Sequence, residues 1–285
     1  MPDVSTYTQL CDALKTMVSG TVINIVADID ANDYQLESSI TCPLTGDVVT
    51  DVTINGNGHN VYNITSFSGT NRAGIFRFSS NSTNININNI NFLNCYITGK
   101  KSMFGTMSSD DSKSINFNQC VFQGRFSRTI AYGGQYKFND CMITARTSVG
   151  ENLTGDTLQY LPEYNRCWIR LDNCIAPAMP MLRFLRQCYV EGNITPDTTN
   201  NPIFCYYANN SCINLTMDVL NGTTLQHFVT YDREYASDSY PNIINIDTVT
   251  GIADTTGDDH IKGVTTEQMR DANYLASIGF DILVP

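Results

Sequence analysis

The residues best suited to chemistry in this chain are carboxylates that share one stretch of sequence with aromatic side chains. Asp156 and Glu163 lie in this stretch together with Tyr160, Tyr164 and the sole tryptophan, Trp168. Two carboxylates can cleave a glycosidic bond when they face each other across the sugar. Aromatic faces beside carboxylates also suit sugar binding, although tyrosines in a long loop are more often packing residues. The other candidate pairs are Asp110 with Asp111, Asp232 with Glu234, and Asp258 with Asp259.

A second candidate is the start of a calcium loop. Asp28, Asp30 and Asn32 have the spacing of its first ligands. The sixth position of such a loop is Asp33 instead of glycine, and the twelfth is Ser39 instead of glutamate. A hydrated turn is therefore the better interpretation of this segment.

The histidines add no further candidate for a metal or nucleophilic site. His59, His227 and His260 are far apart and have no metal-ligand spacing with another histidine or a cysteine. A triad whose members meet only in the fold stays open, but the sequence has no Gly-x-Ser-x-Gly elbow and no nucleotide-binding glycine loop. We therefore predict no catalytic, cofactor-binding or metal-binding residue, and no cofactor.

The charge balance limits the partners of the chain. Its 285 residues include 28 acidic and 17 basic side chains, which gives a net charge of −11. Nucleic acid and anionic lipid both require clustered Lys and Arg, so we expect neither nucleic acid nor a membrane as a partner. No stretch reaches the ~18 consecutive apolar residues of a membrane span. The first residues lack the basic and apolar regions of a signal peptide, so we expect no export.

The ten cysteines are dispersed along the chain. They form no Cys-x-x-Cys pair of the kind used in zinc and redox sites. Because no export signal is expected, we interpret most of them as reduced thiols in the core and not as disulfides.

A short pattern recurs along the chain and predicts the elements that position all of these residues. Two apolar residues two positions apart are followed by two polar or bulky residues, a cysteine and, two positions later, a further apolar residue. The four clearest copies recur at intervals of 21 to 33 residues, a period typical of solenoids. They are residues 90–99, 115–124, 136–145 and 169–178, with looser copies at 52–58 and at 213–222, where Asp218 replaces the cysteine.

The spacing within the pattern requires a sharp corner before each cysteine. Asn94, Asp140 and Asn173 occupy that position, and such residues tolerate the left-handed conformation. Two short strands joined by a repeated corner predict a solenoid with stacked columns of Cys, Phe and Ile inside. Cys188 follows Cys174 too closely for a full turn and is expected on another wall. A sandwich of strand pairs is the alternative, but it gives no reason for a repeated corner.

Residues 52–61, Val-Thr-Ile-Asn-Gly-Asn-Gly-His-Asn-Val, resemble an early coil of the right-handed parallel β-helix proteins of the pectate-lyase-like kind. The resemblance covers roughly residues 21 to 252. It implies an all-β fold, a right-handed single-stranded parallel β-helix, to which the helical patterns described next add short α-helical caps at both ends. A lyase of this kind would also need carboxylates that hold calcium beside a basic residue, and we find no convincing set.

Helical patterns at both ends of the chain predict covers for the open ends of the solenoid. Thr6-x-x-Gln9 and Thr265-x-x-Gln268 have the form of capping boxes. We expect a capping helix at residues 1–20, the β-helix at 21–252, and a C-terminal cap or docking segment at 253–285. The two apolar stripes are Tyr7, Leu10, Cys11, Leu14, Met17 and Val18, and Met269, Ala272, Leu275 and Ala276.

Two further segments lie outside the repeats. Residues 280–284 are mostly apolar and would cover the last coil or dock on another protein. Residues 146–167 and 223–242 are predicted to be long loops with a role in binding or assembly.

An acidic, Asn-rich β-helix without an expected signal peptide resembles bacteriophage structural proteins such as tail spikes, fibres and head or tail appendages. The resemblance implies a non-catalytic virion component that assembles in the host cytoplasm. Its expected partners are other virion proteins, further copies of itself in a homotrimer, and host-surface carbohydrate. The alternative is a polysaccharide-cleaving β-helix enzyme, a lyase or glycoside hydrolase, that uses the stretch at 156–168. A bacterial adhesin is a third hypothesis, which the missing export signal disfavours.

Overall fold

The computed structural model describes most of the chain, and every structural statement below concerns the described residues. Within them, the helices are α1 (Tyr7–Thr16), α2 (Thr266–Arg270) and α3 (Ala272–Ser277), and none is long and apolar enough to cross a membrane. The described residues are 1–32, 40–66, 75–79, 82–97, 103–106, 114–126, 130–132, 135–146, 163–176, 182–196, 203–217, 227–229, 242–247 and 261–280.

The strands of the first half of the chain are β1 (Asp3–Val4), β2 (Val22–Ile25), β3 (Ile29–Asp30), β4 (Ile40–Cys42), β5 (Thr50–Asn55), β6 (Asn60–Tyr62), β7 (Thr65–Ser66), β8 (Phe76–Phe78), β9 (Thr83–Asn88), β10 (Asn91–Ile97), β11 (Phe104–Thr106), β12 (Ser114–Asn118), β13 (Val121–Phe126), β14 (Ala131–Tyr132), β15 (Gln135–Asn139) and β16 (Met142–Arg146). The remaining strands are β17 (Glu163–Asn165), β18 (Trp168–Ala176), β19 (Leu182–Arg186), β20 (Tyr189–Pro196), β21 (Ile203–Asn209), β22 (Cys212–Met217), β23 (His227–Val229), β24 (Asn242–Asn245) and β25 (Ile261–Val264).

These strands coil into three sheets whose pairings are parallel. Sheet A has the order β1-β2-β5-β9-β12-β15-β17-β19-β21-β23, and sheet C has the order β14-β11-β8-β4. Sheet B has the order β25-β24-β22-β20-β18-β16-β13-β10-β6-β3, with β7 also paired to β10. The fold is the predicted right-handed parallel β-helix, with short helices towards both ends of the chain.

A corner between sheets A and B repeats in successive coils. Its residues have φ between 47° and 55°, the left-handed region that few side chains adopt without strain. Asp140 is one of them, as predicted, and the corner lets the chain turn from one wall to the next within a single residue. The corner residues are Asn89, Gln119, Asp140, Arg166, Gln187 and Asn210.

At four of these corners, Gln119, Asp140, Arg166 and Gln187, the next residue is a buried cysteine, and the four thiols form a column. Cys120, Cys141, Cys167 and Cys188 are at most 2% exposed. Their Sγ atoms lie 3.4, 3.4, 3.2 and 3.3 Å from a carbonyl oxygen of the preceding coil. Cys188 therefore lies on a different wall from Cys174, as predicted. It shares its wall with Cys120 and Cys141, which the sequence pattern grouped with Cys174.

Cys95 and Cys174 belong to a second corner, inside sheet B, and do not stack on that column. Asn94 and Asn173 precede them with φ near 50° and 51°. The two corners share one local pattern, a left-handed polar residue followed by a small buried thiol. The sequence pattern therefore assigned the cysteines of two different corners to one column.

Aromatic side chains fill the interior beside the thiols. Phe117 is fully buried, and its ring stacks on Phe138 at 4.8 Å, while Phe138 stacks on Tyr164 at 5.1 Å. Phe104 and Phe122 meet the Phe117 ring edge-on, at 4.8 and 5.3 Å. The predicted stacked interior is thus confirmed, with Phe117 at its centre.

Helix α1 belongs to the main core at the start of the solenoid. Tyr7, Leu10, Cys11, Leu14 and Met17 are buried as predicted and lie in the same cluster as the interior strand residues. The predicted stripe also included Val18, which is exposed. The Thr6 side chain accepts a hydrogen bond from the Gln9 backbone N–H, so Thr6 is the helix N-cap as predicted. The predicted capping box is incomplete, because Gln9 Oε1 accepts from the Ser5 backbone N–H and not from that of Thr6.

Helices α2 and α3 pack against the outer face of sheet B. Their Met269 and Leu275 contact Tyr189, Cys212 and Ile243. Tyr189 and Cys212 precede Val190 and Ile213 of the main core, so they point outward, and Ile243 is in register with Cys212 on the same face. Thr265 forms the predicted capping box with Gln268.

Asp271 interrupts the C-terminal helical stripe, because it ends α2 and caps α3. Met269 and Leu275 are buried, whereas the predicted stripe residues Ala272 and Ala276 are exposed. Phe280 is buried in the same outer cluster as α2 and α3, and residues 281–285 lie outside the described residues.

The predicted boundaries of the β-helix shift at both ends. Strand β1 precedes α1 and pairs with β2, so the segment 1–20 contributes a strand to sheet A besides its helix. Strand β25 pairs with β24, so the β-helix extends beyond residue 252. The predicted loop at 146–167 ends in a strand, because Glu163–Asn165 is β17.

Candidate functional site

The outer face of sheet B carries three parallel columns of side chains. They alternate along the strands with Phe122, Ile143 and Ile169, which are buried. By register, the columns are Val121, Met142, Trp168 and Tyr189; Gln123, Thr144, Arg170 and Glu191; and Tyr96, Arg125, Arg146 and Asp172.

Trp168 is a fixed aromatic side chain at the centre of this face. It is 37% exposed, and Met142 beside it is 43% exposed. The indole Nε1 donates a hydrogen bond to Glu191 at 3.2 Å, and the ring meets Tyr189 edge-on at 6.3 Å. These two contacts hold the orientation of the ring, so its free surface is preorganised for contact with a ligand.

Glu163, the predicted partner of Trp168, lies on a different sheet. Its Oε2 is 3.9 Å from Lys137 Nζ and 3.7 Å from Arg186 Nη1, on the two neighbouring strands of sheet A. The corner at Arg166 separates it in the chain from Trp168, which begins β18. Tyr164 is buried in the aromatic stack. Asp156 and Tyr160 lie outside the described residues.

The acidic residues near the start of the chain bind asparagines. Asp28 accepts hydrogen bonds from the backbone N–H and the side-chain amide of Asn60, at 3.0 and 2.8 Å, and its Oδ1 lies 3.2 Å from His59 Nδ1. These hydrogen bonds from Asn60 and His59 lower the pKa of Asp28 below its ordinary 3.8. Asp30 accepts from the backbone of Asn32 and from the amide of Asn63.

The described part of the chain contains no group of three or more His, Cys, Asp or Glu side chains arranged to hold a metal ion. His227 is the first residue of β23. The remaining candidates lie outside the described residues, and they are Asp110, Asp111, Asp232, Glu234, Asp258, Asp259 and His260.

The described cysteines, all free, are buried. Burial raises the pKa of the Cys95 thiol to about 12 and that of Cys212 to about 12. Burial likewise raises the pKa of Cys167. Thiols in this state are poor nucleophiles at neutral pH, because the thiolate is the reactive form.

A groove of about 340 Å³ lies on the outer face of sheet B. Two arginines in register on neighbouring strands, Arg125 and Arg146, lie on its lining. Sequence reasoning missed this groove, although Arg125 and Arg146 directly follow the repeats 115–124 and 136–145 and so occupy the same place in successive coils. The residues that define it here are Tyr96, Gln123, Arg125, Thr144, Arg146 and Asp172.

Long parallel sheets, repeated corners and small helical caps define the class of this protein as a parallel β-helix. Residues 2–125 match the family model of the pectate lyase-like adhesive domain. This match spans less than half of the chain and ends at Arg125, so it includes one wall of the groove and stops before Trp168. No curated protein and no solved structure matches the chain.

Proposed function

We propose that the protein is a non-catalytic attachment component of a bacteriophage virion, which presents a rigid β-helix to carbohydrate on the host surface. The observation that carries the proposal is the match of residues 2–125 to an adhesive domain. In this proposal, the chain assembles in the host cytoplasm with other virion proteins and with further copies of itself in a homotrimer.

The outer face of sheet B supports attachment. A sugar ring can lie against the exposed part of Trp168, whose orientation is held by Glu191 and Tyr189. Parallel strands beneath this ring provide a rigid base, so little conformational entropy is lost on binding. An exposed tryptophan with an apolar ring and a polar edge suits a ligand that is partly apolar and partly wet.

The contacts of Glu163 support the non-catalytic part of the proposal. A catalytic carboxylate must face the bond that it cleaves. The Glu163 side chain is only 19% exposed and is paired with both Lys137 and Arg186. The Glu163 carboxylate thus forms ion pairs within sheet A.

The experiment is a sedimentation assay of the purified full chain with host cells. We expect saturable binding without release of oligosaccharide from the cell surface. Trp168→Ala is expected to weaken binding, whereas Leu44→Ala, which removes an exposed apolar side chain elsewhere, leaves it unchanged. Unsaturable binding, or release of oligosaccharide, would contradict the proposal.

A further inference from the structure

Arg125 and Arg146 form an unusual pair on the outer face of sheet B. They are direct neighbours in register on β13 and β16. Like charges opposite each other on neighbouring strands destabilise a sheet. The chain has only 17 basic residues and a net charge of −11, so two adjacent arginines require an explanation other than solubility.

Arg125 is held in place but lacks one hydrogen-bond partner. Its Nη1 lies 3.4 Å from the Tyr96 hydroxyl, and its guanidinium lies over the Tyr96 ring at 5.4 Å. Its Nε is buried and makes no hydrogen bond. A buried donor without an acceptor is unfavourable, and an oxygen atom supplied by a ligand would satisfy it.

Arg146 is exposed and makes no hydrogen bond or ion pair with any described residue. The nearest acid by register is Asp172 on β18. The Asp172 carboxylate is taken by Arg170, whose Nε lies 3.0 Å from Oδ1. The positive charge of Arg146 therefore remains available on the groove.

The shape of the groove follows from the second corner. Strand β10 has an extra residue around Asn94, where its register with β13 shifts, and β18 has one around Asn173, where its register with β20 shifts. Strands β13 and β16 pair without such a shift between these two corners. The groove extends from β10 across these two strands to β18, and its volume of about 340 Å³ suits a small ligand.

We propose that this groove is a binding site for an oxyanion, a carboxylate or phosphate group carried on a ligand of about the size of a sugar. Arg125 and Arg146 bind the anion together, as guanidinium groups bind carboxylate and phosphate. Gln123 and Thr144, one column away, donate to the neutral part of the ligand. The inference does not depend on the attachment proposed above, because the site requires only the folded chain.

The test is isothermal titration of the full chain with glucuronate, with glucose 6-phosphate and with glucose. We expect saturable binding of at least one anion, weakening as sodium chloride is added, and no binding of glucose. Binding of glucuronate alone identifies the ligand group as a carboxylate, and binding of glucose 6-phosphate alone identifies a phosphate. Glucose binding as tightly as both anions, or neither anion binding at millimolar concentration, would overturn the proposal.

Variants assign the binding to the groove. Arg146→Gln is expected to weaken anion binding about tenfold or more, and since Arg146 is exposed the fold should be retained. Arg166→Gln removes an exposed arginine of the first corner and is the matched control, with no expected change. Unchanged binding in Arg146→Gln, or equal weakening in both variants, would show that the groove is not the site. If the chain binds anions but does not bind host cells, the attachment proposal fails and the anion site is still supported.

Discussion

Asparagine side chains connect successive coils by directional hydrogen bonds. Asn55, Asn88, Asn118 and Asn139 each donate Nδ2 to the oxygen of the corresponding residue one coil earlier, at 3.2, 3.2, 2.8 and 2.9 Å. The series begins at Asn24, which donates to Asp3. A carboxylate accepts and cannot donate when ionised, so Asp3 accepts from Asn24 without passing a hydrogen bond of the same kind further.

Removing an internal member of this series breaks two hydrogen bonds at once. We expect Asn118→Ala to lower the free energy of unfolding by about 1–3 kcal/mol, because the Asn88 oxygen and the Asn139 amide both lose their partner. The measurement is denaturant unfolding. Asn116→Ala on the same strand is the control, since its described side-chain partner is Asn86 alone, and a smaller loss is expected. Equal losses in the two variants would contradict this role of the series.

The Asp28 carboxylate predicts an effect of pH on stability. Its hydrogen bonds to Asn60 and His59 lower its folded pKa below the ordinary 3.8. Stability from this group is therefore complete above 3.8 and is lost as the pH falls through the lower folded pKa. We expect Asp28→Asn to lower the melting temperature at neutral pH, with a smaller difference from the unmodified protein in acid. A difference that stays constant with pH would contradict the assignment.

At the scale of elements, the aromatic stack connects sheets A, B and C. Phe117 on β12 contacts Phe104 on β11 and Phe122 on β13. In the middle coils, Phe117 stacks on Phe138 and Phe138 stacks on Tyr164, each one coil further along. Ring contacts therefore stabilise the stacking of these coils in addition to the strand hydrogen bonds.

Phe117→Ala is expected to lower the free energy of unfolding by about 3–5 kcal/mol, because the removed ring leaves a cavity in close-packed surroundings. Denaturant unfolding measures the change. Leu44→Ala, at an exposed turn, should change it by less than about 0.5 kcal/mol. A loss for Phe117→Ala as small as that of Leu44→Ala would place the ring outside the core.

Corners and helix starts could be predicted from the sequence because their causes are local. Asn94, Asp140 and Asn173 suit a left-handed residue, and Thr265 with Gln268 suits a helix start. The stacking of the cysteines could not be predicted in the same way, because both corners have the same local pattern. Which thiols lie above one another depends on the lengths of the intervening segments.

The candidate site was predicted less well than the fold. Glu163 and Trp168 are close in sequence, but a corner places them on two sheets. The groove depends on strand register across coils, and the pairing of Arg125 with Arg146 becomes visible only when the repeats are aligned with each other. The position of α2 and α3 on the outer face depends on tertiary packing, which cannot be predicted from a local sequence pattern.

At the scale of the whole molecule, the described coils form a solenoid with one outer face that combines a fixed tryptophan and a basic groove. In the proposed oxyanion site, this localised groove on an acidic protein would select ligands by charge as well as by shape. We propose that the solenoid is a component of a phage particle that attaches to the host. Its architecture suits that role, because stacked coils extend a binding face with few contacts beyond nearest neighbours.

Mass spectrometry of purified phage particles tests this claim most directly, with the copy number of the chain measured against the major capsid protein. The particles should come from the culture that yields the protein. We expect the chain in every particle at a fixed ratio to the capsid protein. Particles that are infectious and lack the chain would contradict the account.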